Sequence, residues 1–245
     1  MNDTRMKAMG LGESILLFGI PAAVFYLITR VLIPYFNRTY AIHPVLVWFV
    51  FGGLFLFVPL FVLSIFLFKR DNYDLNLKTF VARFRLTRLT KADWVWCLGG
   101  LIVTMVLTGT IMGVWRLLSY HLGINPLNTS APFLHFDPLQ GIDRLLLLVW
   151  VPFFFFNIVG EELLWRGYIL PRQELAFGKY AWLINAIFWA VFHLCFGLDL
   201  MILLLPALFV LPYVVQRRKN THIGVIIHAL VNGPSFILIS LGLVK

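Results

Sequence analysis

The sequence predicts an all-α, multi-pass transmembrane helical bundle of about seven spans. Hydrophobic residues make up 60% of its 245 residues and charged residues only 13%, and the mean hydropathy is +0.88. These values lie far outside the range of soluble globular proteins, so lipid surrounds most of the chain. Each crossing needs about 20 apolar residues, which leaves no room for a separate soluble domain. We therefore predict a single integral-membrane domain, 1–245.

The first two predicted spans, at about 15–35 and 45–68, form a hairpin. In the basic stretch that follows, 69–91, arginine and lysine alternate with leucine, phenylalanine and valine. This pattern is typical of an amphipathic segment along the lipid headgroups, which we expect on the cytoplasmic side between spans 2 and 3. A third span is predicted at about 94–118. The loop after it, 120–140, has no lysine or arginine and should lie on the other side.

The motif-bearing core of the chain, about 142–244, supplies the last four predicted spans. The fourth starts near Ile142 and should end before Pro171, because proline disrupts a helix interior. The last three are predicted at about 180–196, 200–215 and 223–244. Seven spans satisfy the positive-inside rule at every connection. They predict a cytoplasmic N-terminus, a C-terminus on the opposite side and, in a bacterium, location in the cell membrane.

The net charge of +9, from 20 Lys and Arg against 11 Asp and Glu, reflects this topology. Basic residues cluster between the apolar runs, where each can contribute about 1 kcal/mol near anionic headgroups. No basic stretch interleaved with aromatic residues forms a face for nucleic acid. We therefore expect membrane lipid as a partner and no nucleic acid.

Ionisable residues within the predicted spans are candidates for a functional site, because each costs about 2.5–3.5 kcal/mol on insertion scales. The first group is the sequence from Glu161 to Arg166, in which Glu162 and Arg166 share a helical face one turn apart. Glu161 should point toward a different neighbour. An interfacial ion pair explains a single glutamate and arginine equally well, but the doubled glutamate favours a site.

The other two groups lie in later spans. His193 has Trp189 one turn earlier, where we expect the two rings to stack, and His228 has Asn232 one turn later. A lone intramembrane histidine is more often a packing residue, and a His/Asn pair is also typical of hydrogen bonding between helices. If the three groups converge, they form a small polar cavity that contains carboxylate, imidazole and amide groups.

A carboxylate and an imidazole that hold a water, opposite an imidazole and an amide that hold an oxyanion, fit peptide hydrolysis without a covalent intermediate. No Ser or Cys lies in a motif with a base, which disfavours a nucleophilic mechanism. The proposed mechanism requires no cofactor. One glutamate and two histidines could bind a divalent metal in principle, but HExxH is absent and nothing fixes the ligand spacing.

The order EExxxR, aromatic-xxx-His and HxxxN over about 153–235 resembles the CPBP intramembrane proteases, which include the CAAX prenyl endopeptidase Rce1 and bacterial Abi or bacteriocin-processing proteins. The resemblance implies a glutamate-dependent membrane protease in which Glu161 and His193 activate water. It also implies that His228 and Asn232 stabilise the oxyanion. The residues that would support this site are Glu162 and Arg166. One departure is that the family's second motif reads FxxxH, whereas position 189 is tryptophan here.

The resemblance implies a peptide or a prenylated protein as substrate, without deciding between CAAX processing and leader-peptide processing. A first alternative is a catalytically silent immunity or scaffold protein with the same fold. A second is a small proton-coupled transporter, since intramembrane Glu and His are expected there too. No pair of halves with matching broken helices occurs in the sequence, which disfavours the transporter.

Overall fold

The structure is a computed structural model that describes residues 6–129, 131, 133 and 137–243. The ends of the predicted domain, 1–5 and 244–245, lie outside the described residues. The regular elements in the described part of the chain are all helical, as predicted, and none is a strand. Six helical runs are long and apolar enough to cross a membrane. The chain is an integral membrane protein.

The first two crossings are Leu11–Tyr40 and Pro44–Arg70. The first consists of α1 (Leu11–Leu27), a π-helical stretch (Ile28–Leu32) and α2 (Ile33–Tyr40). The second consists of α3 (Pro44–Val47), a π-helical stretch (Trp48–Phe57) and α4 (Val58–Arg70). Only three residues, 41–43, connect them, so the two crossings form the predicted hairpin.

The basic stretch after this hairpin contains one short helix, α5 (Leu77–Arg83). The side chain of Asn76 caps it by accepting a hydrogen bond from the backbone N–H of Thr79 at 2.9 Å. Leu77 is exposed, whereas Arg83 is buried and donates to the carbonyl oxygen of Gly167 at 3.2 Å. The segment therefore presents an apolar side chain outward while its last residue is fixed to the bundle.

The third crossing is α6 (Lys91–Leu122), a helix of 32 residues. A capping box starts it: the hydroxyl of Thr90 accepts from the N–H of Asp93 at 3.2 Å, and the carboxylate of Asp93 accepts from the N–H of Thr90 at 2.8 Å. The helix packs mainly against the last two helices, α10 (Leu198–Arg218) and α11 (Thr221–Ser240).

The helical run Gly141–Phe196 accounts for the difference between six runs and seven predicted spans. It contains 56 residues, and at 1.5 Å per residue it would extend about 84 Å, more than twice the hydrocarbon thickness. The chain turns at Gly178, which has φ 55°. The crossing before this turn holds α7 (Leu146–Glu162) and α8 (Leu170–Phe177), and the crossing after it holds α9 (Ala181–His193).

The prediction that the fourth span ends before Pro171 is wrong. A π-helical stretch, Leu163–Ile169, precedes the proline, and α8 continues beyond it to Phe177. Pro171 lies in the first turn of α8, where its missing N–H costs little. The wider π-helical turn accommodates the proline ring without ending the run. The predicted seventh span also ends earlier than expected, since α11 stops at Ser240 and Val244 lies outside the described residues.

Ion pairs and hydrogen bonds join the loops at one end of the bundle. Glu174 binds Arg85 through two contacts of 2.8 Å and Lys219 through one of 2.5 Å. Arg218 binds Asp93 at 2.8 Å. Most of the chain's lysine and arginine lies in these loops, in α5 and in the flanking helix ends, and we call this the basic end: Lys69, Arg70, Lys78, Arg83, Arg85, Arg88, Lys91, Arg172, Lys179, Arg217, Arg218 and Lys219.

At the other end of the bundle, which we call the opposite end, hydrogen bonds join the loop after α6 to α10 and α11. The backbone and side-chain N–H groups of Asn128 both donate to the carboxylate of Asp199 at 3.1 Å. The N–H of Leu139 donates to the carbonyl oxygen of Ser240 at 2.9 Å. The loop that lacks basic residues, 120–140, therefore lies beside the beginning of α10, away from the basic end.

Helix α7 makes an unusually close approach to the second crossing at Gly160. A Cβ atom on Gly160 would lie 2.8 Å from the carbonyl oxygen of Phe57. Small residues permit such backbone contact between membrane helices, where packing rather than the hydrophobic effect holds the helices together. The next two residues along the chain, Glu161 and Glu162, are thereby fixed inside the bundle and not on its surface.

Candidate active site

The three predicted motifs meet in the interior of the bundle. Five of the six predicted residues are at least nine-tenths buried, and Asn232 is half-buried. The buried ones are Glu161, Glu162, Arg166, His193 and His228. The indole of Trp189 lies at the centre of this group. It contacts residues from all three motifs, so helices α7, α9 and α11 are joined around one side chain.

Both carboxylate oxygens of Glu161 accept hydrogen bonds. Trp189 donates its Nε1–H to Oε2 at 2.8 Å, and Asn157 donates an Nδ2–H to Oε1 at 2.9 Å. The first bond crosses from α9 to α7, whereas the second lies within α7, one turn before the glutamate. Two donors therefore fix the orientation of a carboxylate that is 1% exposed.

Glu162 points toward α11, away from the partners of Glu161. Its Oε1 accepts a hydrogen bond from Nδ1 of His228 at 3.0 Å and lies 3.3 Å from Nη1 of Arg166. The second contact is the pair that the spacing of one helical turn predicts. The guanidinium group of Arg166 also lies over the ring of Trp189, 3.6 Å from its centroid. Glu162 thus connects the arginine of the first motif to the histidine of the third.

His228 is held at both ring nitrogens. Its Nδ1 faces Glu162, and its Nε2 lies 3.0 Å from Nδ2 of Asn232. In the neutral tautomer, Nδ1–H donates to the carboxylate and Nε2 accepts from the amide. His228 can donate from Nε2 while it keeps the bond to Glu162 only when both nitrogens carry a proton.

His193, like His228 in its neutral tautomer, carries its proton on Nδ1. Nδ1 lies 2.9 Å from the carbonyl oxygen of Trp189 and donates to it, so the lone pair is on Nε2. The rings of Trp189 and His193 meet edge to face at 82°, with centroids 5.3 Å apart. The expected stacking of these rings is therefore wrong, because residues one helical turn apart here present an edge and not a face.

Two cavities reach these side chains. A small one of about 40 Å³ is lined by His193, His228 and Asn232, together with Trp189. A cavity of this volume is large enough to hold a water molecule, and its other lining side chains are apolar. A large one of about 620 Å³ is lined by Glu161, His193, Asn232 and many aromatic side chains. His193 and Asn232 line both cavities, so the carboxylate side and the imidazole side of the site adjoin.

A bound metal ion would need several donor side chains that face one common position. Within the described residues, no three His, Cys, Asp or Glu side chains are grouped so that they could hold a metal ion. Glu161 and Glu162 point to different neighbours, and both nitrogens of His228 have protein partners. Among the described residues, the two glutamates and His228 therefore do not face one common metal position.

Sequence reasoning missed two contributors to this site. Asn157 follows a block of four phenylalanines, where an amide is out of place in an apolar helix, and it lies one turn before Glu161. That spacing could have identified it. Trp189 was expected only as a ring beside His193, but it also donates a hydrogen bond to Glu161, and no spacing within α9 predicts that contact.

These observations define the chain as an α-helical membrane protein with an enclosed site of carboxylate, imidazole and amide groups. Residues 143–233 match the sequence model of the family described as type II CAAX prenyl endopeptidase Rce1-like. The matched segment contains all three motifs, and the predicted resemblance to CPBP proteases is confirmed over it. The matched segment is thus similar to an endopeptidase family by the description of that family. Searches of curated proteins and of solved structures found no match.

Proposed function

We propose that this protein is an intramembrane endopeptidase whose hydrolytic water is activated by Glu161 and His193. The observation that carries the proposal is the convergence of the three motifs on adjoining cavities, the larger of which is lined by both Glu161 and His193. A buried carboxylate and a histidine with its lone pair on Nε2 are the groups that general-base catalysis needs.

In the reaction, the water oxygen attacks the scissile carbonyl carbon as Glu161 accepts a proton from it. His193 accepts a hydrogen bond from the same water through Nε2 and thereby orients it. When the C–N bond breaks, the proton held by the carboxyl group passes to the leaving amine, so the carboxylate is regenerated. Trp189 and Asn157 support this role because their hydrogen bonds hold the carboxylate in one orientation.

The oxyanion of the tetrahedral intermediate would be stabilised by His228 and Asn232. Asn232 supplies an amide N–H, and His228 supplies Nε2–H when both ring nitrogens are protonated. Glu162 supports the charged ring through Nδ1, and Arg166 lies beside the same carboxylate. Loss of one oxyanion donor typically lowers kcat by about 10²–10³-fold.

The substrate is either a CAAX-type prenylated peptide or a leader-type peptide. The cavity of about 620 Å³ next to Glu161 is lined mainly by apolar and aromatic side chains. Such walls suit an isoprenoid group and an apolar peptide segment equally well. The proposal therefore concerns the reaction and its residues, and both substrate classes enter the test.

The test is cleavage by the purified protein in detergent of a panel that holds a farnesylated CAAX peptide and leader-type peptides. We expect Glu161→Gln and His228→Ala to reduce cleavage by about 10²–10⁴-fold, the range for a general acid or base. Glu13→Gln is the matched control, because Glu13 is an exposed glutamate outside the site. Thermal unfolding of each variant shows whether it is folded.

Wild-type rates in a folded Glu161→Gln protein would contradict the proposed mechanism. If folded wild-type protein cleaves no peptide, the silent immunity or scaffold protein becomes the better hypothesis. Cleavage of only one peptide class by the wild type, abolished by both site substitutions, would identify the substrate class as well as the activity.

A further inference from the structure

The position of the large cavity along the bundle differs from that of the ion pairs. Helix α6 starts at the basic end, and its cavity-lining residues run from Thr104 to Met112. At 1.5 Å per residue they lie about 20–32 Å from that end. Helix α11 also starts there, and its lining residues, from Leu230 to Ile239, lie about 14–27 Å along it. Helix α6 therefore contributes its middle to the cavity, and α11 contributes its far half.

The helices that start at the opposite end contribute the residues near their beginnings. On α10 the lining runs from Leu200 to Ala207, within about 14 Å of its start at Leu198. Thr129 and Phe133, from the loop at this end, also line the cavity. The cavity thus extends from the loop at the opposite end inward to Glu161.

The protein between the site and the basic end is closely packed. Glu162, Trp165 and Arg166 are each fully buried. Beyond them the ion pairs of Glu174 with Arg85 and Lys219 connect the loops. None of the described residues in the ion pairs of the basic end lines the large cavity. A substrate chain from that end would have to disrupt this layer, whereas the cavity extends to the loop at the other end.

The walls of the cavity indicate what can enter it. Many of the lining side chains are aromatic, among them Trp48, Phe49, Phe133, Phe153 and Phe236. The only ionisable side chains among its described lining residues are Glu161 and His193. A charged side chain in such surroundings has no partner and is costly to bury. The peptide segment around the cleaved bond should therefore be apolar or lipid-modified, without charges.

We propose that the substrate enters from the opposite end of the bundle, as an apolar peptide segment exposed on the non-cytoplasmic side of the membrane. The end is assigned by the cavity, and the side follows because the basic end should face the cytoplasm by the positive-inside rule. The inference rests on the proposed protease function. It favours a leader-type or other exported peptide over a prenylated protein that approaches from the cytoplasm.

A first experiment blocks the cavity from α6. Met105 lines the cavity and Val106 does not, although the two are adjacent and 60% and 59% exposed. We expect Met105→Trp to lower kcat/KM by at least tenfold, mainly through KM, because the indole occupies space that the substrate needs. Val106→Trp should retain the wild-type value. Equal values for the two variants would overturn the proposed route.

A second experiment tests the side of entry in proteoliposomes. Single substitutions Leu75→Cys at the basic end and Tyr120→Cys at the opposite end introduce exposed thiols, whereas the native Cys97 and Cys195 are buried. Labelling with a membrane-impermeant maleimide reports the orientation of each preparation. The substrate is a peptide that the protein cleaves in detergent, with an added oligolysine tail far from the cleaved bond to keep it on one side of the bilayer.

We expect cleavage, at least tenfold faster, in vesicles whose Tyr120 end faces the peptide. Equal rates in both orientations, or faster cleavage from the Leu75 end, would overturn the entry route while leaving the protease function intact. Absence of cleavage of the whole panel in detergent would instead overturn the protease function, and the entry route would fall with it. The two failures are therefore distinguishable.

Discussion

Substitution of Gly224 by alanine tests whether Glu162 holds His228 in place. Gly224 lies on α11, directly against the carboxylate of Glu162. A Cβ atom on Gly224 would lie 2.3 Å from Oε2 of Glu162 and 3.1 Å from Cγ2 of Val215. The first distance is far shorter than a van der Waals contact, so the carboxylate must move by about 1 Å to reach ordinary contact distance.

This movement disturbs the two contacts of Oε1, to Nδ1 of His228 at 3.0 Å and to Nη1 of Arg166 at 3.3 Å. A hydrogen bond to a charged group contributes about 1.5–3 kcal/mol. Alanine in a helix is in turn favoured over glycine by about 0.5–1 kcal/mol. We therefore expect Gly224→Ala to lower the free energy of unfolding by about 0.5–2.5 kcal/mol. With His228 no longer held, kcat should fall by on the order of 10²-fold.

The assay combines thermal unfolding in detergent with initial rates of peptide cleavage. Gly99→Ala on α6 is the matched control, because a Cβ atom there meets no other atom within 4 Å. It should retain wild-type activity and remain as stable as the wild type or become up to about 1 kcal/mol more stable. A Gly224→Ala protein with wild-type stability and kcat would refute the argument that Glu162 positions His228.

Three further substitutions test other contacts. Trp189→Phe keeps an aromatic ring but removes the N–H group that donates to Glu161 at 2.8 Å. Steady-state kinetics should show kcat reduced about 10–100-fold, with KM nearly unchanged. An unchanged kcat would count against the role of Trp189 in orienting the carboxylate of Glu161. Asn157→Leu removes the other donor to Glu161 and should lower kcat in the same way, while Asn157→Asp should not restore it, since a carboxylate cannot donate. Glu174→Gln weakens the ion pairs with Arg85 and Lys219, so Tm in detergent should fall by several degrees while kcat stays unchanged. Lys78→Gln, at an exposed position, is the control. An equal Tm for both variants would contradict the prediction.

The sequence predicts the crossings well and marks the ionisable residues within them, for one physical reason. Lipid accepts long apolar runs and makes ionisable groups costly, so both features are visible in the order of residues alone. The second predicted span, 45–68, lies within the observed crossing Pro44–Arg70. The motif residues could likewise be identified one by one, because Glu161, His193 and His228 are exceptions within apolar helices.

Features that depend on the offset between helices could not be predicted in this way. The π-helical stretch before Pro171 changes the register of α7 and α8, and no local pattern marks it. The hydrogen bond from Trp189 to Glu161 joins residues 28 positions apart on different helices. The large cavity is likewise lined by residues from several helices and from the loop after α6. The periodicity of apolar residues describes one helix at a time, so it does not predict contacts between helices.

The two halves of the bundle meet different requirements of the proposed reaction: fixed positions for the site residues and space for the substrate. A carboxylate and two imidazoles keep their relative positions only if the surrounding helices cannot shift, and the half toward the basic end supplies this through packed side chains and the ion pairs of Glu174. A peptide needs space beside those groups, and the other half supplies it with a cavity of about 620 Å³. Trp189 lies at the boundary, where its indole contacts Arg166 on the packed side and Glu161 beside the cavity. A substitution at this residue therefore changes both the rigidity of the site and the position of the group that would activate water.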